Sequence, residues 1–97
     1  MSWATRAIEG LGEGKTVVIY PRGGSMRGLI ESGARVVVEP VDRADVKEGD
    51  IVLCRVSGTD YLHLVKSVDA SGILIGNNLG KINGYASRIY GRVLSVG

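Results

Sequence analysis

A serine preceded by two glycines is the clearest candidate for chemistry in this sequence of 97 residues. Ser25 follows Gly23 and Gly24 and precedes Met26. Glycines allow backbone angles closed to other residues and leave the amide of the serine uncrowded. A nucleophilic serine needs this kind of position, with an exposed hydroxyl and N–H groups that can meet a developing oxyanion. The same segment is also compatible with a plain loop between two elements.

Two candidate bases lie in the apolar run 61–66. His63 is the only histidine of the chain, and an ordinary imidazole accepts a proton near neutral pH. Lys66 would do so only if burial lowered its pKa strongly. Side chains alternate along a strand, so His63 and Lys66 are expected on opposite faces unless a bulge lies between them. The structural interpretations are that His63 is a hydrogen-bonded histidine of the core and that Lys66 lies at the solvent edge of the strand.

The Asn- and Gly-rich segment 76–84 is predicted to be a loop. Its functional interpretation is a loop whose amides orient a catalytic base. One histidine and one cysteine on separate segments form no zinc pattern, and no glycine-rich segment matches a nucleotide-binding loop. The sequence therefore predicts neither a metal nor a cofactor. Cys54, in the run 51–54, is predicted to be a small buried apolar residue.

A single domain over residues 1–97 must position these groups. Hydrophobic residues make up 44% of the chain, which has 15 glycines and no phenylalanine, so valine, isoleucine and leucine must fill a thin core. Residues 1–15 are predicted to form a helix over 2–10, capped by Ser2, and a glycine-rich lead-in. Residues 16–96 are predicted to form the β core.

Strand signals recur every 10–15 residues with turn residues between them. The predicted strands are 16–20, 34–40, 51–56, 61–68, 73–75 and 89–96, and a short helical turn or loop is expected over 26–31. This pattern predicts a mainly β fold, namely a coiled antiparallel sheet or partly open barrel with one short N-terminal helix.

Charge and hydropathy limit the partners. Twelve basic and ten acidic residues give a formal charge of +2, and the signs alternate along the chain, which disfavours nucleic acid as a partner. A basic barrel that binds nucleic acid through Arg22, Arg27, Arg35 and Arg55 is the weakest hypothesis. No run reaches the roughly 18 apolar residues of a membrane span. With no signal sequence and one cysteine, the prediction is a cytoplasmic protein without a membrane anchor.

Several segments together resemble the LexA-type and signal-peptidase-type serine peptidases. The segment 23–26 resembles the Gly-x-Ser-Met signature of that family, and 46–53 resembles its strand of the form x-x-Gly-Asp-Ile-Val. The other similar segments, in chain order, are 31–38, 62–66, 76–78 and 89–93. The resemblance covers about residues 16–96 and implies the fold of a LexA C-terminal domain, with the active site in a surface groove where an extended peptide lies as an added strand.

The resemblance also implies roles for individual residues. Ser25 corresponds to the nucleophile, and the amides of Gly24 and Ser25 correspond to the oxyanion site. The histidine subgroup of the family favours His63 as the base, whereas the lysine-type members leave Lys66 as the less favoured alternative. Asn77 stands where the histidine subgroup has an aspartate that orients the base. An asparagine carbonyl can accept the imidazole N–H but supplies no charge.

The leading hypothesis is thus a small serine peptidase acting on an extended peptide or protein. The alternative is a degenerate peptidase fold that binds peptides or proteins without turnover, an idea motivated by Asn77. A second copy of the chain is a candidate partner through the closing strand 89–96. Without an anchor or a preceding DNA-binding domain, we expect neither an ordinary signal peptidase nor a LexA-type repressor.

Overall fold

The computed structural model describes residues 3–97 and contains one open, seven-stranded antiparallel sheet with a short helix. The elements are helix α1 (Thr5–Gly12) and strands β1 (Val17–Ile19), β2 (Val36–Pro40), β3 (Ile51–Val56), β4 (Thr59–Asp69), β5 (Gly72–Gly76), β6 (Ile82–Tyr85) and β7 (Arg88–Val96). A 3₁₀ turn spans Arg43–Asp45. The mainly β prediction is confirmed. The predicted helix cap at Ser2 lies outside the described residues.

The strand order is β1-β2-β7-β3-β4-β5-β6, so the last strand of the chain lies between β2 and β3. The hairpin of β3 and β4 turns at Ser57 and Gly58, both with positive φ, as tight hairpins of right-handed twist require. Residues 51–56 of β3 pair with residues 59–64 of β4 in unbroken register. This hairpin is the scaffold that carries His63.

Both faces of the hairpin are buried. Leu53 and Leu62 belong to one apolar cluster, beneath α1 and the loop that holds Ser25. Val52, Cys54 and Val65 belong to a second cluster on the opposite face, with Ile73 of β5. Each fully buried aliphatic side chain contributes roughly 1.5–3 kcal/mol, so the hairpin is fixed from both sides.

Segment 82–85 differs from its prediction, because it forms edge strand β6 and not a loop. It pairs with β5 through Leu74 opposite Tyr85 and Gly76 opposite Ile82. The register shifts between these pairs, which leaves Asn83 as an extra, bulged residue. A bulge redirects the side chain it carries, and this one directs Asn83 toward β4.

Strand β4 has one partner along its first half and two along its second. Strand β5 pairs only with residues 64–69 of β4, so within residues 3–97 no strand lies beside 59–63 on that side. Antiparallel pairing alternates the direction of backbone groups. Since Thr59 and Val56 close the two-residue turn, the N–H and C=O groups of Asp60 and Leu62 point to this open edge.

No helix among the described residues is long and apolar enough to cross a membrane.

Candidate active site

Ser25 lies in the loop between β1 and β2. The loop is closed at its base, where the Gly33 amide donates to the Pro21 carbonyl at 2.6 Å. Gly23 has a φ of 107°, a conformation that side chains disfavour, and its amide donates to Ser32 Oγ at 3.1 Å. Met26, directly after Ser25, is buried in the first cluster. The loop is therefore anchored on either side of the serine.

The structure brings Ser25 and His63 together. Ser25 Oγ lies 3.1 Å from His63 Nε2, across 38 positions of sequence. His63 is buried, with only 7% of the residue exposed, because β4 holds it between the loop of Ser25 and β6. A serine hydroxyl at hydrogen-bond distance from a histidine nitrogen has the geometry that proton transfer requires.

Asn83 holds the opposite nitrogen of the imidazole. Its Oδ1 lies 2.7 Å from His63 Nδ1. A carbonyl oxygen only accepts, so Nδ1 carries the ring hydrogen and the lone pair of Nε2 accepts the Ser25 hydroxyl. No motif in the sequence marks Asn83 individually. The one signal for it is its place in the same Asn- and Gly-rich segment, 76–84, as Asn77.

Asn77 is not the residue beside His63, which corrects the expectation. Its Oδ1 accepts hydrogen bonds from the amides of Leu79 at 2.8 Å and Lys81 at 2.9 Å. This side chain is therefore occupied in closing its own turn. The next residue, Asn78, links the turn to the serine loop, since its amide donates to the Ser25 carbonyl at 3.1 Å.

Lys66 makes no hydrogen bond with Ser25 among residues 3–97. It is the extra residue where the pairing of β4 and β5 shifts register, between Val65 and Ser67. Its side chain runs over Gly76, where a Cβ atom would lie 2.8 Å from Lys66 Cε. A bulge therefore does lie between His63 and Ser67, at Lys66, yet the candidate base at hydrogen-bond distance from the serine is His63.

Burial lowers the pKa of His63, because a desolvated imidazole resists protonation. The hydrogen bond to Asn83 raises this pKa, and the charge of Lys81 lowers it further. The net direction is downward from 6.5. The ring is therefore neutral at neutral pH, which is the state that accepts a proton.

The amides of Gly24 and Ser25 remain available. Among residues 3–97, neither N–H donates a hydrogen bond to another protein group. Both lie at the start of the serine loop, next to the hydroxyl. Two unpartnered backbone donors beside a serine hydroxyl are suited to stabilise a tetrahedral oxyanion.

A cleft of about 360 Å³ opens beside the serine and the histidine. It runs between the serine loop and the open edge of β4, and its lining includes Trp3, Tyr20, Met26, Ile30, Tyr61 and Leu62. Asp60 also lines it, but Arg55 holds this carboxylate through hydrogen bonds of 2.9 and 3.2 Å. The surface offered beside the serine is therefore largely apolar.

Other candidate groups lie away from this site. Cys54 is buried in the second cluster, and burial with the nearby Asp60 charge raises its pKa to about 12. Such a thiol stays protonated and unreactive. Within residues 3–97, no three His, Cys, Asp or Glu side chains are grouped to hold a metal. Of the four arginines considered for nucleic acid, Arg55 is paired with Asp60.

Comparison with protein-family models, with curated proteins and with solved structures gave no match. The site is therefore interpreted from its own geometry. A serine, a neutral histidine and an asparagine are hydrogen-bonded in series, with free amides and an apolar cleft beside them. This arrangement can transfer a proton from a serine hydroxyl to an imidazole.

Proposed function

We propose that this chain is a small serine peptidase of the LexA and signal-peptidase type that cleaves an extended peptide or protein. The observation that carries the proposal is the series of contacts from Ser25 Oγ to His63 Nε2 at 3.1 Å and from His63 Nδ1 to Asn83 Oδ1 at 2.7 Å. As part of the same proposal we assign the protein to the cytoplasm. Neither a cofactor nor a metal takes part in the proposed reaction.

In the proposed reaction, Ser25 Oγ attacks the scissile carbonyl carbon while its proton passes to His63 Nε2. The amides of Gly24 and Ser25 bind the oxyanion. The imidazolium then returns the proton to the leaving amine, and the C–N bond breaks. Water, deprotonated by the same nitrogen, then attacks the acyl carbon. The ester C–O bond breaks, the proton returns from His63 Nε2 to Ser25 Oγ, and the acid is released.

The open edge of β4 supports an extended substrate. The outward backbone groups of Asp60 and Leu62 can pair with a peptide lying in the cleft as an added strand. A peptide paired with Asp60 and Leu62 would place its next carbonyl group beside His63, the last residue of the open edge, and so beside Ser25. Alternate side chains of the peptide would enter the apolar cleft.

A serine-directed fluorophosphonate provides the direct test. We expect one adduct, on Ser25, because among residues 3–97 only this hydroxyl is hydrogen-bonded to the imidazole. Ser71, exposed in the turn after β4, is the internal comparison and should stay unlabelled. Adducts are mapped by mass spectrometry of proteolytic fragments. Equal labelling of both serines, or no adduct on the folded chain, would contradict the proposal.

Substitutions of Asn83 test its contact with the base. Asn83→Leu removes the acceptor for Nδ1–H, and a misplaced imidazole is expected to lower kcat/KM about 10²-fold. Asn83→Asp adds a negative charge, which raises the pKa of His63 and strengthens the hydrogen bond at Nδ1. The expected gain in kcat is roughly tenfold. Steady-state kinetics at several pH values measure both. An unchanged rate in Asn83→Leu would exclude a role for this residue.

A second candidate function, peptide binding without turnover, is favoured by the neutral Asn83. Because the described partner of His63 Nδ1 is the neutral Asn83 and not a carboxylate, an imidazolium formed during catalysis would lack an anionic partner at that nitrogen within residues 3–97. A binding module would capture extended peptides with equal affinity in the wild type and in Ser25→Ala, and cleave none. Calorimetric titration combined with mass spectrometry of the recovered peptides separates the two functions.

A further inference from the structure

An aromatic ring lies stacked on the imidazole of His63. The centroids of the Tyr61 and His63 rings are 4.8 Å apart, and the ring planes differ by 29°. The two residues are two positions apart on β4, so their side chains share one face of the strand. Tyr61 packs against the second cluster and lines the cleft. Tyr61 therefore covers one face of the imidazole ring. The two ring nitrogens are hydrogen-bonded to Ser25 and Asn83.

The charged form of His63 has few favourable neighbours. Asn83, at Nδ1, is neutral, and Lys81 in the turn before β6 carries the same charge as an imidazolium. Asp60, on the same strand, is ion-paired with Arg55 of β3.

Two further charged residues line the cleft from the serine loop, Arg22 and Glu31. Glu31 Oε2 accepts from the Gly28 amide at 3.0 Å, and no ion pair joins either residue to His63 within residues 3–97. The face of an aromatic ring carries partial negative charge and attracts a cation within about 6 Å of its centroid. The Tyr61 ring is within that distance of His63.

We propose that Tyr61 is a positioning residue that fixes the imidazole plane and stabilises its protonated form through the face of its ring. This inference rests on the proposed function insofar as it concerns catalysis. The ring compensates in part for the carboxylate that the site lacks at Nδ1. The phenolic hydroxyl has no part in this role, so Tyr61→Phe preserves it and Tyr61→Leu removes it.

Proton NMR of the imidazole tests the ring interaction without any substrate. The chain has one histidine, so a single C2–H resonance reports its titration. In Tyr61→Leu the titration midpoint is expected at lower pH than in the wild type, because the imidazolium loses the attraction of the ring. A residue that only shields His63 from water would give the opposite sign, since its removal exposes the imidazole and raises the midpoint. Tyr61→Phe should titrate like the wild type.

The kinetic expectation is a fall in kcat of about 2- to 30-fold in Tyr61→Leu, with KM little changed and the Tyr61→Phe rate close to wild type. Tyr20→Leu, which alters another tyrosine of the cleft, is the matched control for the titration and should leave the midpoint in place. Should Tyr61→Leu unfold, Tyr61→Met replaces it as an unbranched apolar variant.

An unchanged or raised midpoint in the folded variant, or a Tyr61→Phe that behaves like Tyr61→Leu, would overturn the inference. If the midpoint falls but no peptide is cleaved by the wild type, the ring interaction stands and the peptidase function fails. If the wild type cleaves peptides and the midpoint does not fall in Tyr61→Leu, the peptidase function stands and the ring interaction fails.

Discussion

Replacing Ser25 by alanine is expected to lower the kcat/KM for peptide cleavage by about 10⁴- to 10⁶-fold, the loss seen when a serine nucleophile is removed. The variant keeps the cleft, the imidazole and the two free amides, but no atom remains to form the acyl bond. Peptide affinity should be nearly unchanged, because within residues 3–97 the hydroxyl makes one hydrogen bond, to His63. Mass spectrometry of a peptide mixture before and after incubation measures the cleavage.

Stability distinguishes loss of chemistry from loss of fold in this variant. Removing the Ser25 hydroxyl leaves the buried His63 Nε2 without its donor, so the free energy of unfolding should fall by about 1–3 kcal/mol while the chain stays folded. Ser71→Ala, in the exposed turn between β4 and β5, is the matched control and should retain full activity. Cleavage at the wild-type rate by Ser25→Ala would refute the assignment of the nucleophile.

Local sequence patterns were sufficient to predict the frame of this fold. The β-branched run of β3 and the alternation along β4 follow from burial on two faces, and both strands lie where the pattern predicts them. Ser25 and His63 could be singled out because glycines before a serine and a lone histidine in an apolar strand are visible in the residues themselves. Their contact at 3.1 Å depends on tertiary structure that no local pattern contains.

The error over Asn77 has a physical origin in strand pairing. Residues 82–85 are rich in asparagine and glycine, so their composition predicts a loop, yet pairing with β5 makes them a strand. The bulge that directs Asn83 toward His63 arises from a register shift between two strands, and register is a property of the pair. Asn77 was the more visible residue because its segment resembles a family motif, but its side chain closes the turn.

Replacing His63 by alanine is expected to lower kcat/KM by about 10²- to 10⁴-fold, the usual contribution of a general base. Ser25 would then have no acceptor for its proton, since Lys66 is directed over Gly76. Lys66→Met is the matched variant for the rival base and should keep near-normal activity. The reverse result, an inactive Lys66→Met and an active His63→Ala, would reassign the base to the lysine.

The pH dependence provides a second signature of His63. Burial lowers its pKa below 6.5, so the wild-type kcat/KM should stay high as the pH falls to 6.5 and decline only below it, through the folded-state pKa. The residual activity of His63→Ala should lack this acid limb. A limb centred above 6.5 would instead require an anion near the imidazole, which is the result expected for Asn83→Asp.

The same pKa shift affects folding, with a sign that can be checked separately. Because the folded-state pKa is lowered, the unfolded chain binds more protons between the two pKa values, so the contribution of His63 to stability rises with pH in that window. The free energy of unfolding should therefore decrease as the pH falls below about 6.5, and should decrease less in His63→Gln, which cannot be protonated. Denaturant unfolding of both proteins across this range measures the difference. Parallel curves would mean that the imidazole titrates alike in both states, and would contradict the lowered pKa of His63 in the folded chain.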